Sequence, residues 1–132
     1  PDAIEIVVVG AHMSGLPLNR ELTELGGRFS RVVQTKPDYR FYALPGGPPF
    51  RPGLLRVAPG TGVAIAAEVW TLSAQGFGAF VSRIPSPLGI GTLQLADGTT
   101  PKGFLVEAEA VRGAEDISAY GGWRAFMAAK AA

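Results

Sequence analysis

The sequence predicts an α+β domain built on a largely antiparallel sheet or small barrel, with a few short helices. Three observations lead there. Short β-branched or alternating apolar runs recur along the chain. They are punctuated by 18 glycines and 11 prolines in 132 residues, nearly twice the usual share. A hydrophobic fraction of 47% supplies enough apolar surface for a core, so the excess of turn formers reads as tight turns rather than disorder. A chain of this length is expected to form one domain, residues 1–132.

The elements follow in order. Ile4 to Val9 (IEIVVV) is a β-branched run typical of a buried strand, and Gly10 ends it. Asn19 suits an N-cap and Pro17 a first turn. Leu18, Leu22 and Leu25 mark one face of a short helix that Gly26-Gly27 stops. Arg28 to Thr35 and Tyr39 to Leu44 read as strands around a Lys36-Pro37-Asp38 turn. The second alternates, placing Tyr39, Phe41 and Ala43 opposite Arg40, Tyr42 and Leu44. Pro45 to Gly53 (PGGPPFRPG) is expected to be a surface loop. Leu54 to Val57 and Val63 to Leu72 are further strands. Ser73 caps a helix bearing Phe77, Phe80, Val81 and Ile84, ended by Pro85 and Pro87. Gly91 to Ala96 and Lys102 to Glu107 form a hairpin about Asp97-Gly98, and Trp123 to Lys130 is a terminal helix.

Several function classes are disfavoured. The net charge is +1 and the basic residues are scattered, so the footprint of a nucleic-acid binder is missing. No apolar stretch reaches the roughly 18–20 residues of a membrane span, and no signal peptide is visible. Without cysteine there is no disulfide, thiolate metal site or thiol nucleophile, and a cytoplasmic location is the expectation. The start at Pro1 fits a trimmed methionine or a piece of something longer.

The stretch VVVGAHMSGLPLN, Val7 to Asn19, has the order strand, glycine-containing loop, helix, which suits either a plain turn or a cradle for an anion. It matches neither the P-loop nor the dinucleotide fingerprint, so no cofactor is expected. It carries His12, the only histidine in the chain; with no second His or Cys, no metal is expected. Ser14 lies two positions on, but no G-x-S-x-G elbow exists. Glu68, near Trp70 in the longest strand, either faces solvent or turns into a pocket. Tyr39, Arg40 and Tyr42 form either an anion-binding face or packing, and Trp70 and Trp123 are core candidates. The segment Ile84 to Gly98 fixes its backbone with two prolines and several glycines, as a sharp turn or as a second pocket loop.

Taken in order, VVGAHMSGLPLN, YRFYALPG, EVWTL, FVSRIPSPLGIGTLQLADG, KGFLVE and DISAYGGWRAF resemble the C-terminal domain of allophanate hydrolase from Val7 to Phe126. That resemblance implies a fold similar to the gamma-glutamyl cyclotransferases, a small mixed barrel whose first loop cradles a substrate carboxylate. Gly10-Ala11-His12-Met13-Ser14-Gly15 would occupy that loop. The cyclotransferases also use a glutamate in the helix-to-strand region after the central strand, where this chain reads IPSPLGIGT without an acid, so cyclotransferase activity is not expected.

In allophanate hydrolase, the resemblance implies, an amidase domain releases the first ammonia and the C-terminal domain breaks down the resulting N-carboxycarbamate. These 132 residues include no amidase. The expected partners are therefore a small anionic substrate and an amidase domain or subunit; the alternative is a non-catalytic module that binds a small carboxylate or docks on an amidase. His12 would protonate the nitrogen or position the leaving carboxylate, its ordinary pKa of about 6.5 allowing either. Gly10, Ala11, Met13, Ser14 and Gly15 would hold one carboxylate, and Asn19 would brace the loop or cap the helix. Tyr39 or Arg40, with the backbone of Gly89, Gly91 and Thr92, would meet the other end of a dianion. The sequence leaves the oligomeric state open.

Overall fold

The computed structural model describes residues 3–131; Pro1, Asp2 and Ala132, covered by the single-domain expectation, lie outside the described residues. Its main layer is a five-stranded sheet. The first strand, β1 (Ile4–Val8), sits at its centre, antiparallel to β5 (Ala66–Leu72) and parallel to β7 (Lys102–Val106). Outside them run β2 (Arg28–Gln34), antiparallel to β5, and β6 (Leu88–Thr92), antiparallel to β7. A second sheet has the order β4 (Pro52–Arg56), β3 (Tyr39–Ala43), β8 (Glu115–Asp116). The continuous apolar pattern of β1 follows from its central place, where both faces are covered.

The expected barrel does not form. The edges of the large sheet approach only beyond the ends of β2 and β6, where Thr35 and Leu95 make an isolated bridge. Lys36 N–H donates to the Gln94 carbonyl at 2.9 Å and Ala96 N–H to Gln34 at 2.8 Å. A few bonds at and beyond the strand ends do not pair β2 with β6 along their lengths, and the two sheets stay separate.

Other boundaries moved for local reasons. The helix expected around Leu18, Leu22 and Leu25 contracts to α1 (Arg20–Thr23), with turns on both sides. Leu18 and Leu22 are nonetheless buried as the periodicity demands. Strand β4 begins at Pro52, inside the stretch expected to be loop, with Pro52 paired to Ala43. It is an outer strand, where proline forfeits no required ladder bond. Strand β5 starts three residues late, and β6 starts at Leu88 rather than Gly91 because Leu88 to Thr92 pairs in register with Lys102 to Val106. The turn at Asp97-Gly98 is as expected: Asp97 Oδ1 accepts from Thr99 N–H at 2.9 Å, and Gly98 takes a φ of 88° that favours glycine.

Helix α2 (Ala74–Ser82) is capped by Ser73, whose Oγ accepts from Gly76 N–H at 3.0 Å, and α3 (Trp123–Ala131) closes the fold. Tyr39 and Phe41 are fully buried on one face of β3, as its alternation requires, and join Ile6, Val7, Val8, Ile65, Leu93 and Leu95 in one core. Trp70 and Trp123 are buried in that core too.

Candidate functional site

The loop after β1 is a chain of turns. Met13 N–H donates to the Gly10 carbonyl at 3.0 Å, Leu16 N–H to Met13 at 3.0 Å and Leu18 N–H to Ala11 at 2.9 Å. Asn19 has helical dihedrals and makes no cap bond; its Nδ2 donates to the His12 carbonyl at 2.8 Å, so it braces the loop. Gly10 is required by packing, because a Cβ there would overlap the ring of Pro52 at the start of β4.

His12 is held from three elements. Its ring stacks on Phe104 of β7 (centroids 5.1 Å apart, 24° between planes) and meets Phe80 of α2 edge-on at 5.1 Å. Its Nε2 lies 2.8 Å from Glu21 Oε1 on α1. Burial between the phenyl rings depresses the imidazole pKa below 6.5; Glu21 pulls it back up, and the nearby Arg51 charge pushes it down again. The net direction is down, so at neutral pH the ring is uncharged and Nε2–H donates to the Glu21 carboxylate.

The donors expected to cradle a substrate carboxylate hold a carboxylate of the protein. Glu68 is buried on β5, and its Oε1 accepts from Ser14 N–H at 2.8 Å, Ser14 Oγ–H at 3.0 Å and Trp70 Nε1–H at 3.0 Å. Arg124 of α3 donates to Glu68 Oε2 at 3.1 Å and to the Ser14 carbonyl at 2.7 Å. Burial alone would raise the Glu68 pKa, but the bonds from Trp70, Ser14 and Arg124 outweigh it and hold the group below its ordinary 4.5. Of the two readings of Glu68, the inward one describes its position, with the carboxylate spent on the loop. The N–H groups of Met13 and Ser14 are therefore engaged internally.

Smaller clefts open on the other side of the loop, around His12. A cleft of about 70 Å³ runs between His12, Glu21, Arg51, Arg83, Pro85 and Phe104. A smaller hollow of about 20 Å³ is bounded by Gly10, Ala11, His12 and Arg51. Arg51, Pro85 and Leu88 also border a cavity of about 300 Å³ between the two proline-rich segments. The Arg51 Nε is buried and has no hydrogen-bond partner among the described residues.

The remaining expected site residues lie elsewhere. Tyr39 is fully buried, with its hydroxyl accepting from Gln94 N–H at 2.8 Å. Arg40 points outward and pairs with Asp116 at 2.8 Å. Gly89, Gly91 and Thr92 belong to edge strand β6, and Thr92 Oγ1 accepts from Lys102 Nζ at 3.0 Å. None of these five lines a cleft at His12. Glu21 and Arg51, neither of them among the expected site residues, line the cleft at His12 instead. The clue to Glu21 was a carboxylate on the helix beside the loop; the clue to Arg51 was a lone cation in a proline-rich stretch. Among the described residues no three His, Asp or Glu side chains cluster as a metal ion would need, and no helix is long and apolar enough to cross a membrane.

The chain matches known proteins over nearly its whole length. The family model described as the allophanate hydrolase C-terminal domain matches residues 4–128. The chain is 40% identical over 128 residues to the urea amidolyase of Saccharomyces cerevisiae, covering 95% of the chain but only 7% of that protein. Among solved structures, Kluyveromyces lactis allophanate hydrolase superposes with a TM-score of 0.90 at 37% identity, over 95% of this chain and 21% of that one. A uropathogenic E. coli-specific protein superposes at 0.87 and 32% identity, with 96% of both chains covered. A gamma-glutamyl cyclotransferase is similar in fold alone, at a TM-score of 0.54 and 13% identity.

Proposed function

Since the chain belongs to the allophanate hydrolase C-terminal domain family, we propose that it breaks down a small urea-derived dianion, N-carboxycarbamate, supplied by an amidase. The observation that carries this reading is the setting of His12: the only histidine of the chain, fixed by two phenyl rings and Glu21, on the wall of a cleft it shares with Arg51.

The chemistry asks little of the protein beyond a proton and a place. In decarboxylation of N-carboxycarbamate one C–N bond breaks, its electron pair stays on nitrogen, and carbon dioxide leaves. Nitrogen takes up one proton, so the other product is carbamate. His12 is uncharged in the free cleft, but a dianion against it favours the imidazolium. Glu21 stabilises that cation through Nε2, which makes His12 the proton donor to nitrogen, and water returns the proton afterwards. The apolar faces of Phe80 and Phe104 strengthen these interactions by keeping the local dielectric low.

An amidase domain or subunit is the partner this role requires. The likeness to the E. coli-specific protein over 96% of both chains supports a domain that also occurs as a chain of its own length. The test is to add this chain to an isolated amidase domain with allophanate and follow carbon dioxide release. Acceleration that vanishes in His12→Ala supports the reading. A rate equal to spontaneous breakdown defeats it, and saturable binding without turnover would instead mark a carboxylate-binding module.

A further inference from the structure

We propose that Arg51 is the carboxylate-binding residue of the His12 cleft, receiving one end of a small dicarboxylate on its guanidinium. The proposal takes the identity of the dianion from the reading above, while the binding itself stands on separate observations.

The first is an imbalance of partners. Arg31 pairs with Glu5 and Asp97, Arg40 with Asp116, and Arg124 with Glu68. Arg51 is no more exposed than a half-buried side chain, its Nε is out of contact with solvent, and that Nε–H has no acceptor among the described residues. A buried cationic donor left without an acceptor is unfavourable, and a carboxylate is the acceptor whose two oxygens match the guanidinium fork.

The second is position. Pro52 follows Arg51 and restricts its backbone, Leu44 N–H donates to its carbonyl at 3.0 Å, and the Pro52 ring seats against Gly10. The guanidinium is thereby fixed beside the loop that carries His12 and borders both hollows at that histidine. The third is the approach. In the 300 Å³ cavity between the proline-rich segments, Arg51 is the single ionisable side chain on a wall of prolines, Leu44, Leu88 and small residues. An anion entering there meets one fixed cation, with His12 beyond it.

Ligand and proton are then coupled. The Arg51 charge disfavours the imidazolium; a carboxylate that neutralises Arg51 removes that penalty. Glu21, Arg83 and Arg51 are the charged groups that share the cleft with His12.

Malonate tests this, because a methylene replaces the nitrogen and there is nothing to protonate or break. The ring signals of the sole histidine report binding by NMR without ambiguity. The expected result is saturable binding, weakened at least about tenfold in Arg51→Gln, the loss of a charge-assisted pair, with Arg51→Lys in between and Arg112→Gln like the wild type. Malonate affinity unchanged in Arg51→Gln, or no binding to the wild-type chain, overturns the proposal. Thermal unfolding checks that the Gln variant folds; if it does not, unchanged affinity in Arg51→Lys overturns the proposal and a several-fold loss supports it. Arg51-dependent malonate binding without accelerated carbon dioxide release would remove the decarboxylation reading and leave this assignment standing. Turnover lost in His12→Ala but intact in Arg51→Gln, with malonate affinity unchanged, would do the reverse.

Discussion

Glu68 Oε1 accepts both the backbone N–H and the hydroxyl of Ser14, at 2.8 and 3.0 Å, tying the loop after the first strand to the middle of β5. A side chain 54 positions away thus does what a substrate carboxylate was expected to do. The loop is held in shape before any ligand arrives.

Removing that carboxylate should be costly. Glu68→Ala leaves the Ser14 and Trp70 donors and the Arg124 cation without their acceptor. The expected loss is about 3 kcal/mol, read from urea unfolding, with faster amide exchange at Ser14. A loss under about 1 kcal/mol, the size of one ordinary hydrogen bond, would mean the network is not what fixes the loop.

The same group sets an acid limit. Its pKa is lower folded than unfolded, so the folded state is favoured by the ionised form. That contribution is complete above the unfolded value near 4.5 and disappears as pH falls through the lower folded value. Unfolding free energy measured from pH 6 downwards should therefore decline below about pH 4.5, and Glu68→Gln should flatten the decline. An identical slope in the variant would assign the acid sensitivity to other carboxylates.

His12 acts in the same sense, but over a higher range of pH. Its folded pKa is below 6.5, so the unfolded chain binds the proton first. Stability is unaffected above the unfolded value, is lost progressively as pH drops below 6.5, and the loss levels off below the folded value. An NMR titration should place the midpoint under 6.5 and lower still in Glu21→Gln, which removes the influence that raises it. A midpoint that rises in Glu21→Gln would contradict the bonding of Nε2 to that carboxylate.

Gly10→Ala should be poorly tolerated even though its backbone suits any residue, because the new methyl overlaps Cδ and Cγ of Pro52. The expected cost is about 2 kcal/mol, together with weakened malonate binding as Pro52 and the adjoining Arg51 shift. Calorimetry and the malonate titration measure the two effects separately.

Much of the fold was legible in local pattern. The β-branched run IEIVVV gave the central strand, the alternation of YRFYAL gave β3 with Tyr39 and Phe41 inward, and Ser73 announced its helix. Barrel closure was not legible, since it depends on whether two edge strands far apart in sequence meet. The site divides in the same way. His12 and its loop stood out as a departure from a strand, but the Tyr39 hydroxyl accepts from a backbone N–H 55 positions on, a pairing invisible to periodicity. Glu21 sits on a four-residue helix too short to show a face, and Arg51 lies in a stretch whose prolines mask the strand that follows.

The parallel pair of β1 and β7 has a consequence for the order of events on the ribosome. Ile6 waits for Lys102 and Ser14 for Arg124, so the first strand of the domain is completed by residues synthesised well after it. Until β7 emerges, the β-branched first strand has an unfilled edge, the kind of exposure that invites wrong pairing. The His12 cleft, whose wall includes Phe104 of that strand, is finished only once β7 is in place.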